Sequence, residues 1–360
     1  MASMRVMVIG AGLGGLTLAH GLRRAGIDVV VHERDQARGR PQGVSLHFDD
    51  RAFTALRACL PPGHAAMVEA TTGGPRDRTW SLSEVDGHLV AATGADQARP
   101  GRQVHRPLLR AVLLTGLEGV VRFGAEFTRF EQRDDGSVRA WFADGSTDTG
   151  DVLVGADGIG SAVRCQYLPH IQVVDTGRRM LMGATPLRAV EDTGLPELLG
   201  HCPASARMHD MTMALGILRF SQHPVTARDR WLPTLRSPVV DESEDYVMWA
   251  IRVTQDQADT PATQLAADLH PSLRLVVAKA WPDVTVALRI GVIPPMPPWS
   301  ASPVTLIGDA IHLAPGFGGN LALQDAHRLC DALVHGGPDA IGGYESAMRQ
   351  DNFPQSVGAA

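Results

Sequence analysis

Apolar residues fall in short unbroken runs near both ends of the chain and in alternating stretches through its middle. Met4 to Ile9 is nearly continuous, the pattern of a parallel strand covered on both faces. Leu16, Ala19, Leu22 and Ala25 then recur at helical spacing, with Gly26 placed to end that helix. Asp28 to His32 is a second apolar strand, and Glu33 stands at its end. These segments predict a strand, a glycine-rich turn, a helix and a second strand, the βαβ unit of nucleotide-binding folds. Val152 to Gly155 and Val304 to Ile307 predict further buried strands, while Asn320 to Val334 and Tyr344 to Gln350 predict helices.

The remaining stretches read differently. From Pro61 to Gly101 the sequence is loop-rich, except that Trp80 to Val90 alternates around Asp86-Gly87 and predicts a type I′ hairpin. Pro107 to Leu117 predicts a helix with proline at its first position. Val120 to Phe142 predicts two strands broken at Asp134-Asp135-Gly136. Met180 to Leu187, Thr212 to Phe220 and Tyr246 to Val253 suggest an antiparallel sheet, and the prolines at 294–298 lead the chain back. The expected fold class is α/β. A Rossmann-like domain is formed discontinuously by 1–171 plus 293–360, and an α+β domain with an antiparallel sheet is inserted at 172–292.

Composition narrows the function classes. With 360 residues the chain is long enough for two lobes, and 44% hydrophobic against 20% charged residues is ordinary for a globular protein. A formal charge of −6 gives no electrostatic reason to expect nucleic acid. No apolar run approaches the roughly 18 residues of a membrane span. The N-terminus does not resemble a signal peptide. Cys59, Cys165, Cys202 and Cys330 form no CxxC pair and have no metal-ligand spacing. Free thiols, no metal site and a cytoplasmic location are therefore expected. Oligomeric state is not encoded in any pattern here.

Three glycine-centred motifs carry the chemistry. In Gly10-Ala11-Gly12-Leu13-Gly14-Gly15, Gly10 permits the tight turn, Gly12 lets the backbone approach a pyrophosphate, and Gly15 lets the helix pack close to the sheet. The anion would sit on free N–H groups at the helix N-terminus. Glu33 is placed to accept hydrogen bonds from a ribose, which favours an unphosphorylated ADP half. Asp157-Gly158 follows the buried strand at 152–155, where an aspartate can cap a turn or orient a ligand. Gly308-Asp309-Ala310-Ile311-His312 follows the strand at 304–307. Beyond it, Pro315 to Asn320, including Gly318 and Gly319, ends at a helix start and offers bare N–H groups.

Taken together these residues resemble the single-component FAD-dependent aromatic hydroxylases, the group A flavoprotein monooxygenases. The match covers the order of motifs and nearly the whole chain. The glycine motif with Glu33, Arg34 and Arg40 looks like the family's ADP-binding fingerprint. Arg106 falls where the family has a flavin-contacting arginine. Asp157-Gly158 resembles the motif linked to FAD and NAD(P)H, and Asp309 is similar to the aspartate that binds the ribityl chain. Pro315, Gly318, Gly319 and Asn320 fit the loop and helix beside the flavin ring, although this loop is shorter than the family's usual one.

The resemblance implies FAD as cofactor, NAD(P)H as transient reductant, and dioxygen transferred through a flavin C4a-hydroperoxide to an aromatic or polycyclic small molecule. Epoxidation or Baeyer–Villiger chemistry would use the same oxygen donor. The catalytic base is unknown, with His209 and Tyr246 as the candidates in the predicted substrate lobe. Met182, Met211, Met213 and Trp249 are candidates for the substrate pocket, because methionine adapts to irregular apolar shapes; core filling is the commoner role. Two alternatives stay open: a flavin-dependent reductase or dehydrogenase without oxygen transfer, and a non-catalytic FAD- or ligand-binding protein with a defective flavin loop.

Overall fold

Arg5–Ile9, the first apolar run, is the central strand of a five-stranded sheet in a computed structural model that describes residues 4–37, 43–76, 78–94, 100–208, 211–313 and 318–352. The strand order is Val304–Leu306, Val152–Gly155, Arg5–Ile9, Asp28–Glu33 and Val121–Phe123, with every pairing parallel. Val6, Met7 and Val8 have no exposed surface, which is why their sequence does not alternate. Between the first two strands runs the helix Leu13–Arg24, and it packs against the long helix Gly318–Gly336. Close approach of the first helix to the sheet needs glycine at 15, since a Cβ there would lie 2.1 Å from the carbonyl oxygen of Gly10 and 3.2 Å from Val8 Cγ1.

A second sheet has seven strands, in the order Val286–Val292, Val174–Pro186, Tyr246–Val253, Met211–Leu218, Ala204–Met208, Trp80–Val85 and His88–Thr93. It is antiparallel except where Ala204–Met208 runs parallel to Trp80–Val85. The α/β class with an antiparallel second sheet is therefore as expected. The sheet also recruits the hairpin 80–93, from outside the 172–292 segment assigned to it. In that hairpin Asp86 and Gly87 both have positive φ, 50° and 77°, as a type I′ turn requires.

Period-two alternation decides what each face of this sheet meets. In Tyr246–Val253, residues Val247, Trp249 and Ile251 enter a core with Met213, Leu273 and Val276. Tyr246 instead packs with Val44, Ala184 and Leu218 on the opposite face, where Met248 joins them. That second face looks toward the parallel sheet.

Two expectations for the connecting segments need correction. The stretch after Pro61 is not simply loop, because Pro62–Ala70 is a helix with proline in its first turn followed by good helix formers. Val121–Phe123 does not belong to the meander. It joins the edge of the parallel sheet, and a separate antiparallel sheet is built from Phe127–Gln132, Val138–Phe142 and Thr147–Gly150. Pairing with Asp28–Glu33 completes the five-stranded sheet, a long-range choice invisible to local pattern.

Candidate active site

The turn after Arg5–Ile9 opens a cavity of about 2480 Å³ that continues to the face of the seven-stranded sheet carrying Met182 and Met248. Single small-ligand pockets are typically about 300–1,000 Å³, so this one has room for an extended cofactor and a second molecule. At its start the helix Leu13–Arg24 has Gly12 as N-cap, no side-chain cap and no acidic residue in its first turn. Its first N–H groups therefore lack a side-chain acceptor, and the positive end of the helix is not neutralised. A Cβ on Gly12 would meet nothing closer than Ala156 O at 3.9 Å, so the bare glycine leaves room that only a ligand would use. Gly10 is different: its φ of +110° and a Cβ contact of 2.4 Å with Ala156 O require glycine for the turn itself.

Glu33 is held by two backbone donors, the N–H of Ala11 to Oε2 and that of Asp35 to Oε1, both at 2.8 Å. Each oxygen keeps a further lone pair for a hydroxyl. Arg34 lines the same end of the cavity. Farther in, Arg106 starts the helix Arg106–Leu114, and its guanidinium is lowered by burial, while Asp309 acts in the opposite direction. Burial pushes the Asp309 carboxyl up, against the pull of His312 and Arg106. A Cβ on Gly318 would lie 2.7 Å from Asp309 Oδ1, so glycine here lets the carboxylate keep its place.

Of the sequence candidates, Gly10, Gly12, Gly14, Gly15, Glu33, Arg34, Arg106, Asp157, Asp309, Gly318, Gly319 and Met182 all line this one cavity. Asp157 is divided between two roles. Its Oδ2 accepts from the N–H groups of Ala162 and Val163 at 2.8 and 3.2 Å, capping the following helix, whereas Oδ1 is buried without a hydrogen-bond partner. Burial also pushes this carboxyl up.

Other candidates are placed elsewhere. Asn320 has no exposed surface, and its amide is consumed by Asp49 N–H (2.9 Å) and His47 O (2.8 Å), so it clamps the helix Gly318–Gly336 to the strand Ser45–Phe48. Trp249 and Met213 are fully buried in the core on the far side of the seven-stranded sheet, and Met211 packs against that core. They sit on the wrong parity of their strands to reach the cavity. Tyr246 is also fully buried, with its hydroxyl 3.3 Å from both His105 Nδ1 and Val44 O, and burial pushes the phenol up. Arg40, His209 and Pro315 lie outside the described residues.

Sequence reading missed the polar end of the cavity. Ser45, His47 and Arg76 line it, with Met248 and Leu288 among the apolar walls. The strands Ser45–Phe48 and Arg102–His105 pair antiparallel, which brings Gln103 beside Ser45 and Arg76. Met248 was legible, being the neighbour of opposite parity to Trp249. Arg76, in a loop without periodicity, gave no signal.

The model for the FAD-binding-domain family matches residues 3–337 of this chain. The chain belongs to this family, that of the group A flavoprotein monooxygenases. Its cofactor is FAD. A dual O-methyltransferase/FAD-dependent monooxygenase, elcB of Phaeosphaeria nodorum, is 32% identical over 98% of this chain, yet the chain spans only 42% of that protein's length. An FAD-dependent urate hydroxylase from Klebsiella oxytoca is 30% identical, with 91% of this chain and 81% of the relative covered. A solved structure from Photorhabdus luminescens, assigned as an FAD-containing monooxygenase, superposes with a TM-score of 0.82 at 28% identity, covering 97% of this flavoprotein and 95% of the other. Among the described residues, no helix is long and apolar enough to cross a membrane.

Proposed function

We propose that this flavoprotein is an NAD(P)H-consuming monooxygenase that hydroxylates an aromatic or polycyclic small molecule with dioxygen. The observation carrying this reading is the single cavity that joins an uncapped glycine-bounded helix N-terminus to an apolar sheet face. In this proposal FAD supplies the redox chemistry that activates oxygen. The chain's residues supply position, charge and exclusion of water.

Backbone N–H groups after Gly12 would hold the pyrophosphate, because they are unpaired and lie at the positive helix end. Glu33 and Arg34 would take the ADP ribose end. Arg106 and Asp309 would bracket the flavin and its ribityl chain, and Gly318 and Gly319 would approach the ring closely. The parts 1–171 and 293–360 then form the FAD-binding lobe. The sheet built mainly from 172–292 closes the chamber over the substrate, with Met182 and Met248 as adaptable apolar walls. None of the four cysteines is in a disulfide, which fits a reducing compartment, and we place the protein in the cytoplasm.

The test begins with the visible spectrum of the purified protein after incubation with FAD and desalting. A retained flavin band that NAD(P)H bleaches and air restores is expected, with oxygen uptake rising when a hydroxylatable aromatic is added. Retained flavin with no oxygen transfer to any aromatic would move the protein to the reductase class.

A further inference from the structure

The polar end of the cavity is built around one cation. Arg76 reaches it from a loop, and two neutral groups accept its hydrogen bonds. Nη1 donates to His47 Nδ1 at 3.1 Å, and Nη2 donates to Gln103 Oε1. Because arginine can only donate, Nδ1 of His47 carries no proton in this contact. Gln103 is in turn oriented by donating its amide N–H to Ser45 Oγ. Nε of Arg76 is buried with no hydrogen-bond partner. Among the described residues no carboxylate forms an ion pair with it, whereas Arg5, Arg51, Arg57 and Arg179 each have one.

Room for this guanidinium is provided by Gly216 on Met211–Leu218. A Cβ at that position would lie 3.3 Å from Arg76 Nη2, 3.1 Å from Gln103 Oε1 and 3.6 Å from Met248 Cε. The same contacts locate the cation: it lies against the sheet face that presents Met248, on the substrate side of the chamber. Buried charges are normally paired, and a cation held only by neutral acceptors on a cavity wall lacks its counter-charge. Burial lowers the Arg76 guanidinium to about 10, which still leaves it charged at neutral pH.

We propose that Arg76 anchors the substrate, and that the substrate is an aromatic compound bound through an anionic oxygen, a phenolate or a carboxylate. The inference rests on the hydroxylase reading and names the charge class of what that site accepts. The orienting shell of Gln103 and His47 fixes the fork, so the anion is bound at one end while the ring lies against Met182 and Met248.

Isothermal calorimetry on the FAD-loaded protein tests this with 2-naphthoate, 2-naphthol and the neutral 2-naphthamide. The wild type is expected to bind 2-naphthoate, or 2-naphthol in its ionised form as read from naphtholate absorbance, about tenfold or more tightly than 2-naphthamide. A preference for the carboxylate or for the phenolate identifies which anion the site takes. Arg76→Met should bring the ratio to about one without changing FAD retention, and Arg76→Lys should retain part of it. Equal binding of charged and neutral probes by the wild type, no binding of any probe, or an unchanged ratio in folded, FAD-loaded Arg76→Met overturns the proposal. The hydroxylase reading fails separately, through a flavin that NAD(P)H does not bleach, and the charge preference is measured without turnover.

Discussion

His312 Nε2 donates to Asp325 Oδ2 at 2.5 Å, and both side chains are buried, with 2% and 1% exposure. The same carboxylate oxygen accepts the N–H of Gly308 at 2.8 Å, so the pair ties the turn carrying Asp309 to the helix Gly318–Gly336. Burial alone would discharge His312, but Asp325 and Asp309 outweigh it and raise the ring above its ordinary value.

A raised histidine contributes stability that is complete below its unfolded value, near 6.5, and is lost as pH rises through its higher folded value. The wild type should therefore lose stability above pH 6.5, and His312→Gln should lack that part of the pH dependence. Asp325→Asn leaves the charged ring without its partner and should cost about 3–5 kcal/mol. Urea denaturation between pH 5 and 9 measures both.

Glu345 makes a second, independent pH prediction. It is 1% exposed, accepts from Thr305 Oγ1 at 2.9 Å through Oε1, and leaves Oε2 buried and unpaired. Burial raises its carboxyl from 4.5 to about 7, against the hydrogen bond from Thr305. The neutral acid is thus the form the fold prefers, and stability is lost as pH rises from 4.5 through 7. Glu345→Gln keeps the acceptor without the charge, and should stabilise the protein at pH 8 by ~2–3 kcal/mol with little effect at pH 4.5.

Gly12 and Gly15 should separate binding from folding. Gly12→Ala has space in the protein, so its melting temperature should stay near that of the wild type while FAD affinity falls about tenfold or more. Gly15→Ala drives a methyl into Gly10 O and should destabilise the fold by about 2 kcal/mol or more. If Gly12→Ala retained FAD as the wild type does, the pyrophosphate assignment would fall.

Met248 and Trp249 are adjacent and should behave oppositely. Trp249→Ala opens a hole in the far core and should cost about 3–5 kcal/mol. Met248→Ala faces the cavity and should shift KM for the proposed aromatic substrate several-fold with a smaller stability loss. Thermal melts together with steady-state kinetics distinguish the two.

Local pattern determined much of this molecule. Unbroken apolar runs marked the strands at 5–9 and 152–155, glycines with forced geometry marked the turns, and Asp86-Gly87 marked a hairpin that formed as expected. Motif order was enough for the family and its cofactor. These features are legible because the backbone demands them within a few residues.

What the tertiary structure decided depends on contacts between distant segments. Strand parity sent Met213 and Trp249 to a core and Met182 and Met248 to the cavity, and which face became core was set by the helices that packed there. Asn320 became a clamp because Asp49 N–H and His47 O were brought to it from more than 270 positions away. The hairpin 80–93 left its neighbours to extend the larger sheet. Arg76, isolated in an aperiodic loop, acquired its role only when Gly216, His47 and Gln103 converged on it. A charge with no counter-charge among the described residues is a property of the assembled cavity, where low solvation makes the missing partner matter, and no stretch of sequence contains it.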